Sequence, residues 1–313
     1  MRNIGRVRGC TSCPAFIVEL CNNPGAMARS YVLFAAVLFG TTGTAQALGP
    51  AGLSPLTVGA ARVVLGGGVL GLLALPGSRA AARMSPGLVL CAGVAIAIYQ
   101  LTFFEAVHRA GVAVGAVVAI GSGPIAAGVL ERGFGDTWPG ARWRAATALA
   151  IAGIVALTLG GAGRAAASTT GVLLALASGT AYATYTVIAK RLLSGGAGPV
   201  RVMGAAFGVG SLLLLPVLLV GNTQWLHTTR GIELAAYLAV GPTILAYLLF
   251  ARGLRRLTAS ETTTIVLAEP VTATILGVVV LHQPLGAAAI VGVLLVIAGI
   301  GVLALPTLQR VPA

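Results

Sequence analysis

Ten stretches of apolar sequence, each close to the roughly 20 residues that cross the hydrocarbon core of a bilayer, govern what this chain can fold into. They lie near residues 30–48, 55–75, 87–107, 112–131, 142–160, 169–189, 200–220, 231–251, 258–281 and 286–305. Hydrocarbon offers no water to a backbone N–H or C=O, so such stretches cross only as helices that close their hydrogen bonds internally. The expected fold class is all-α, a polytopic membrane protein of ten transmembrane helices. Composition points the same way: 57% of residues are hydrophobic and 9% charged, where a soluble domain carries about 25% charged residues. The lipid bilayer is the first partner the sequence implies.

A formal charge of +13 does not make this a nucleic-acid binder, because the basic residues fall in short clusters between apolar runs and form no single patch. With the N-terminus inside, one face receives Arg29, Arg79, Arg83, Arg132, Arg142, Arg144, Lys190, Arg191, Arg201, Arg252, Arg255, Arg256 and Arg310, and the other only Arg109, Arg164 and Arg230. Cytoplasmic loops carry the excess of Lys and Arg, so the expectation is a multi-pass protein of the cell (plasma or inner) membrane with both termini cytoplasmic. Residues 1–28 read as a disordered leader. Cys10 and Cys13 form a C-x-x-C there, but no second pair or nearby His completes a metal site, and Met27 reads as the true start.

The two halves repeat. At an ungapped offset of 146 residues Phe104 pairs with Phe250, Pro124 with Pro270, and Ile151-Ala152-Gly153-Ile154 with Ile297-Ala298-Gly299-Ile300. This divides the chain into a first five-helix repeat over 29–161, a second over 162–306 and a short cytoplasmic tail over 307–313. Five spans per repeat force the second copy to enter the membrane from the opposite side. Two inverted five-helix repeats are an architecture of secondary transporters, with the substrate site near the midplane where the repeats meet.

Over about residues 30–306 the chain resembles the ten-helix EamA-type branch of the drug/metabolite transporter superfamily. Phe39-Gly40-Thr41 stands where that family commonly has Trp-Gly and a small polar residue in helix 1. Pro55 and Arg62 match its helix 2 pattern, and Ser122-Gly123-Pro124 and Ala268-Glu269-Pro270 match the proline-centred motifs of helices 4 and 9. The chain departs from the family where an acidic residue commonly follows each proline helix: it is shifted to Asp136 in the first half and replaced by Gln283, beside His282, in the second. The resemblance implies a carrier of small organic solutes, often an exporter.

Ionisable residues inside a membrane are expensive and call for a reason. Glu269 sits near the centre of helix 9, directly before Pro270, whose missing N–H leaves a carbonyl free to line a cavity. A carboxylate there can bind a cationic or amine group or carry a coupling proton; the alternative is a structural pair with Arg62, placed one to two turns from the inner end of helix 2. Glu261, near Arg255 and Arg256, reads as an interfacial ion-pair member, and His108 as a plain helix-end histidine beside Glu105 and Arg109. The candidate substrate contacts are Glu269, Tyr99, Gln100, Thr42, Gln46, Tyr182, Tyr185 and Tyr247. Gly123, Pro124 and Pro270 are expected to break their helices around the site. Spacings such as Thr42 to Gln46 and Thr180 to Thr184 keep polar groups on one helix face, as a cavity wall requires; the alternative is interhelical hydrogen bonding.

No H-E-x-x-H, G-x-S-x-G or P-loop is present, and seven acidic residues include no paired Asp-rich magnesium motif. The expectation is a protein that is not an enzyme and needs no cofactor: a secondary transporter of a small organic metabolite, such as an amino acid, amine or drug-like solute, exporting by alternating access. The alternative is a non-transporting membrane scaffold or sensor of the same fold. The oligomeric state is left open. The topology makes a direct prediction: single cysteines at Ser54 and Gly163 react with an impermeant thiol reagent added outside intact cells, and one at Ser194 does not. Labelling at Ser194 would overturn the orientation.

Overall fold

The computed structural model describes residues 23–75, 84–159, 168–284 and 286–305, and every long element among them is a helix. These are α1 (Pro24–Ala47), α2 (Pro55–Ala74), α3 (Pro86–Ala110), α4 (Val114–Gly133), α5 (Ala141–Leu159), α6 (Thr169–Ser194), α7 (Pro199–Val220), α8 (Thr229–Leu254), α9 (Ala259–Val279) and α10 (Ala287–Ala304). Nine of these are long and apolar enough to cross a membrane. The tenth, α5, opens on Arg142 and Arg144 and runs 19 residues along α10. The leader cysteines, Arg79, Arg83, Gly163, Arg164, the tail and the 161/162 repeat boundary lie outside the described residues.

The helix starts follow local chemistry. Proline, whose fixed φ suits a first turn where its missing N–H costs nothing, opens α1, α2, α3 and α7. Side-chain oxygens of Asn23, Ser168, Thr228 and Thr258 accept hydrogen bonds from the first free backbone N–H groups of α1, α6, α8 and α9. Helical backbone runs on through the residues between α3 and α4, yet the chain turns back there. A Cβ added to Gly115 would stand 2.9 Å from Val107 Cα, whereas residues eight apart in a straight helix are about 12 Å apart.

Large aliphatic side chains point out, with Leu212, Val220, Leu294 and Leu305 each more than half exposed, while the interior is rich in Ala28, Ala35, Ala36, Ala183, Ala206 and similar small residues. Lipid is as apolar as leucine, so helix association rests on close packing of small residues. The crossing of α5 and α10 shows both the packing and the symmetry. A Cβ on Gly153 would meet Gly292 O at 2.7 Å and Val296 N at 2.8 Å; one on Gly299 would meet Ala146 O at 2.6 Å and Ala150 N at 3.0 Å. Each member of the second pair is displaced 146 positions from its counterpart, so the sequence repeat is a two-fold relation in space, and the repeats are inverted. A related pair of crossings joins the repeats. Gly40 of α1 abuts Glu269 O of α9, and Gly179 of α6 abuts Ser122, Ala119 and the Gly123 backbone of α4.

Arg29 near the start of α1 and Leu303 near the end of α10 border one cleft, so both described chain ends lie at the same face, termed here the terminal face. The Trp225 turn and the α3–α4 corner lie at the opposite face. Basic residues sort as the sequence predicts: Arg29, Arg142, Lys190 and Arg191 all border the terminal cleft. One expectation is corrected. Because α2 starts at the opposite face, Arg62, seven residues after Pro55, lies about two turns from that face and not near the terminal end.

Gly153→Leu and Gly299→Leu are expected to destabilise the protein alike, by about 1–3 kcal/mol each, because each would overlap backbone of the partner helix. Gly301→Leu, with open space at its Cβ, should be neutral. Thermal unfolding in detergent followed by size-exclusion chromatography checks the order; a neutral Gly153→Leu would refute the close crossing.

Candidate functional site

Seven helices converge on a polar and aromatic centre. Tyr99 of α3 packs on Tyr182 of α6 with ring centroids 5.5 Å apart, Tyr182 on Tyr185 at 5.5 Å, and Tyr185 on Tyr247 of α8 at 6.2 Å. Tyr247 also meets Phe207 of α7 at 4.2 Å and Phe39 of α1 at 4.8 Å. Arg62 of α2 and Glu269 of α9 both act electrostatically on Tyr99 and Tyr247. They also feel each other's charge, but the close ion pairs among the described residues are elsewhere, at Arg29–Glu261, Arg109–Glu105 and Arg191–Asp136. A cation and an anion thus face one aromatic cluster without neutralising each other in direct contact.

Each charge sits beside an irregularity in its helix. A π-type turn, Val63–Gly67, follows Arg62 directly, and a second, Val240–Leu245, carries Pro242 and ends two residues before Tyr247. Such turns concentrate at functional sites in helices. In α9 the helix stops at Leu267 and Ala268, whose N–H groups reach back only three residues, to Thr264 O and Ile265 O. A new segment then begins at Glu269 with Pro270 in its first turn.

The buried hydrogen-bonding inventory marks the same place. Among the described residues seven buried side-chain polar atoms have no partner, and five of them are Thr42 Oγ1, Arg62 Nε, Gln100 Nε2, Tyr182 OH and Tyr185 OH. Burying a polar group without a partner costs about 1–3 kcal/mol, so five such atoms gathered in one cluster set this place apart from the rest of the interior.

Of the residues expected at a site, Tyr99, Gln100, Thr42, Tyr182, Tyr185, Tyr247 and Glu269 come together. Gln46 does not. It stands one turn beyond Thr42, next to Ala45, which packs on the Val58–Trp225–Leu234 cluster near the opposite face. Gly123 faces the Tyr182 ring, 3.5 Å from a Cβ it lacks. Pro270 sits at the break in α9, but at Pro124 the helix is uninterrupted, which corrects the expectation of a matching break: Gly121 and Gly123 beside Pro124 leave room for the backbone to tilt around the ring. Thr180 and Thr184 line a groove of about 670 Å³ on the outer side of α3 and α6, with Cys91 and Leu176. Thr184 donates to its own helix at Thr180 O, so this pair is not part of the tyrosine wall. Glu261 is paired with Arg29 of α1 at 2.8 Å.

Two residues escaped the sequence reading. Phe207 gave no signal among the apolar residues of α7. Glu131, beside Arg132, was not singled out, yet it is 7% exposed and accepts from Ala259 N at 2.5 Å and Ser260 N at 3.1 Å. Its position seven residues after Pro124, still inside an apolar run, was the available clue.

The sequence profile of the EamA-like transporter family matches residues 27–159 and again 169–305. The chain belongs to the EamA-like transporter family. It carries two EamA repeats, one on each side of the two-fold relation seen at Gly153 and Gly299. Its sequence is similar to the uncharacterized transporter YwfM of Bacillus subtilis (strain 168), 39% identical over 284 residues that cover 90% of this chain and 95% of the relative. A protein crystal structure at 22% identity matches the fold with a TM-score of 0.74 over 89% of this chain and 96% of its own.

Removing a buried hydroxyl that has no protein partner should not cost stability. Tyr182→Phe is expected to leave thermal stability unchanged or raise it by about 1 kcal/mol. A clear loss of stability, measured by thermal unfolding in detergent, would show that the hydroxyl is satisfied in the resting protein.

Proposed function

We propose that this EamA-family protein is a secondary transporter that exports a small organic solute by alternating access, with both termini cytoplasmic. The observation that carries this reading is the cluster of partnerless polar atoms around Arg62 and Glu269, at the meeting of the two inverted repeats. A solute bearing an anionic and a cationic or amine group would complement it: the anion taken by Arg62 and Gln100, the cation by Glu269 and the tyrosine faces. When no solute is bound, Glu269 is the natural carrier of a coupling proton, since a carboxylate removed from water is the costly form. Export is favoured because the family resemblance points to it, and the inside orientation follows from the arginines on the terminal face.

Alternating access is supported by the uneven packing of the two ends. From Thr262 to Ala268, on the terminal side of Glu269, α9 is buried throughout, whereas Glu269, Pro270, Thr272, Ala273 and Thr274 are half-buried. We read this packing, Val271 being the one buried residue from Glu269 to Thr274, as closure toward the terminal face, one of the two states that an inverted repeat can exchange.

Glu269→Gln is expected to fold and reach the membrane but to lose transport or its pH dependence, and Glu261→Gln to have a milder effect. The measurement is efflux from proteoliposomes loaded with a mixed metabolite pool, at several pH values. Normal transport by Glu269→Gln at every pH would remove Glu269 from the site.

A further inference from the structure

Glu131 is buried at the end of α4 in the first repeat, and its carboxylate spans the repeat boundary. Both oxygens accept backbone N–H groups at the first turn of α9, at Ala259 and Ser260, where four such groups lack helical partners and the helix dipole favours an anion. It stands at the terminal cleft of about 780 Å³, which Arg29, Asp136, Arg142 and Glu261 also line. Other charged contacts of this face include Arg29 with Glu261, Asp136 with Arg191, Arg142 with carbonyls of Val302 and Leu303 at the end of α10, and Lys190 with carbonyls of Leu254 and Arg255.

The inverted repeat shows what should answer them on the opposite face. At the 146-residue offset that relates Gly153 to Gly299, Glu131 corresponds to Gly277, Glu261 to Gly115, Asp136 to His282 and Arg142 to Ala288. No carboxylate or guanidinium of the terminal closure has a charged counterpart of its own kind in the mirrored closure. Among the described residues the opposite face therefore shows no charged hydrogen bond between the repeats to match that of Glu131; the Glu105–Arg109 pair there lies within α3.

We propose that Glu131 is a latch between the repeats that biases the resting protein toward closure at the terminal face, and that the opposite gate has no equivalent latch. This rests on the alternating-access reading above. Opening the terminal gate moves α9 away from α4, which leaves Glu131 and two helix-start N–H groups to find water or remain unpaired. Solute or proton binding at Glu269, ten residues along the same helix, must overcome that bias, which makes unlatching the step that ties site occupancy to the gate.

The test uses the full chain with its four cysteines replaced, in nanodiscs, where a water-soluble maleimide reaches both faces. One reporter is Thr263→Cys, buried in α9 between the terminal face and Glu269; the other is Gln46→Cys, on α1 toward the opposite face. Glu131→Ala and Glu131→Gln should speed labelling at Thr263→Cys by about tenfold, the scale of one charged hydrogen bond, and slow it at Gln46→Cys. Gly277→Glu, whose new Cβ would meet only the mobile end of Gln283, should move both reporters the same way by latching the opposite gate. Faster labelling at both reporters in the Glu131 variants would mean a loosened fold and would overturn the latch, as would no change at either. Proteoliposome transport by the wild type, measured alongside, separates the two ideas: transport with unresponsive reporters sinks the latch alone, and responsive reporters without transport of any loaded solute sink the transport reading alone.

Discussion

Contact between bare backbones at glycine is the interaction on which the rest of this structure depends. In lipid the hydrophobic effect does not press one helix against another, so dispersion at short range must hold the bundle together. Gly153, Gly292 and Gly299 allow α5 and α10 to touch main chain to main chain, and Gly40 and Gly179 do the same where each repeat crosses the other. These crossings fix the two-fold relation between the repeats, and that relation brings α1, α3, α6, α8 and α9 together around one centre. Replacing the packing by larger side chains would separate the walls of the site before any site residue changed.

Tight packing of this kind leaves little freedom, and the chain places its irregularities where freedom is needed. Both π-type turns and the break in α9 adjoin Arg62, Tyr247 or Glu269. A helix with a locally altered hydrogen-bond ladder can pivot there without melting. Elsewhere, as at Pro124, even a proline is absorbed into an unbroken helix. Sequence chemistry alone does not separate the two prolines; the difference lies in what packs beside them.

That contrast explains how much was legible. Span positions, the repeat and the sorting of arginines follow from periodic or compositional constraints that lipid enforces on every residue, and α1 through α10 match them within a few residues. The aromatic centre was also readable, since tyrosines and a glutamate in the middle of apolar helices have few places to go. Facing direction was not. Gln46 and the Thr180–Thr184 pair share helical spacing with true site residues, but helix rotation is set by partners far away in sequence. Glu131 was overlooked for the related reason that its partners, two backbone N–H groups 128 and 129 residues on, carry no side-chain signature.

Symmetry and asymmetry divide the work between scaffold and chemistry. The repeat supplies two copies of each helix and so two related ways to close the bundle, which is what a carrier with a single central site requires. The carboxylates at the centre and at the α4–α9 contact break that equality. Glu269 answers to Gly123, and Glu131 to Gly277, so one repeat brings a carboxylate where the other brings open space. On the reading proposed above, this asymmetry would give a bound solute a defined orientation at the centre and make one closed state cheaper than its mirror image at the gate. A perfectly symmetric pair of repeats would alternate freely but would bind nothing polar in a fixed sense and would rest in neither state. Directional behaviour in such a fold must therefore be sought in residues that differ between the repeats, and here Glu269 and Glu131 are among them.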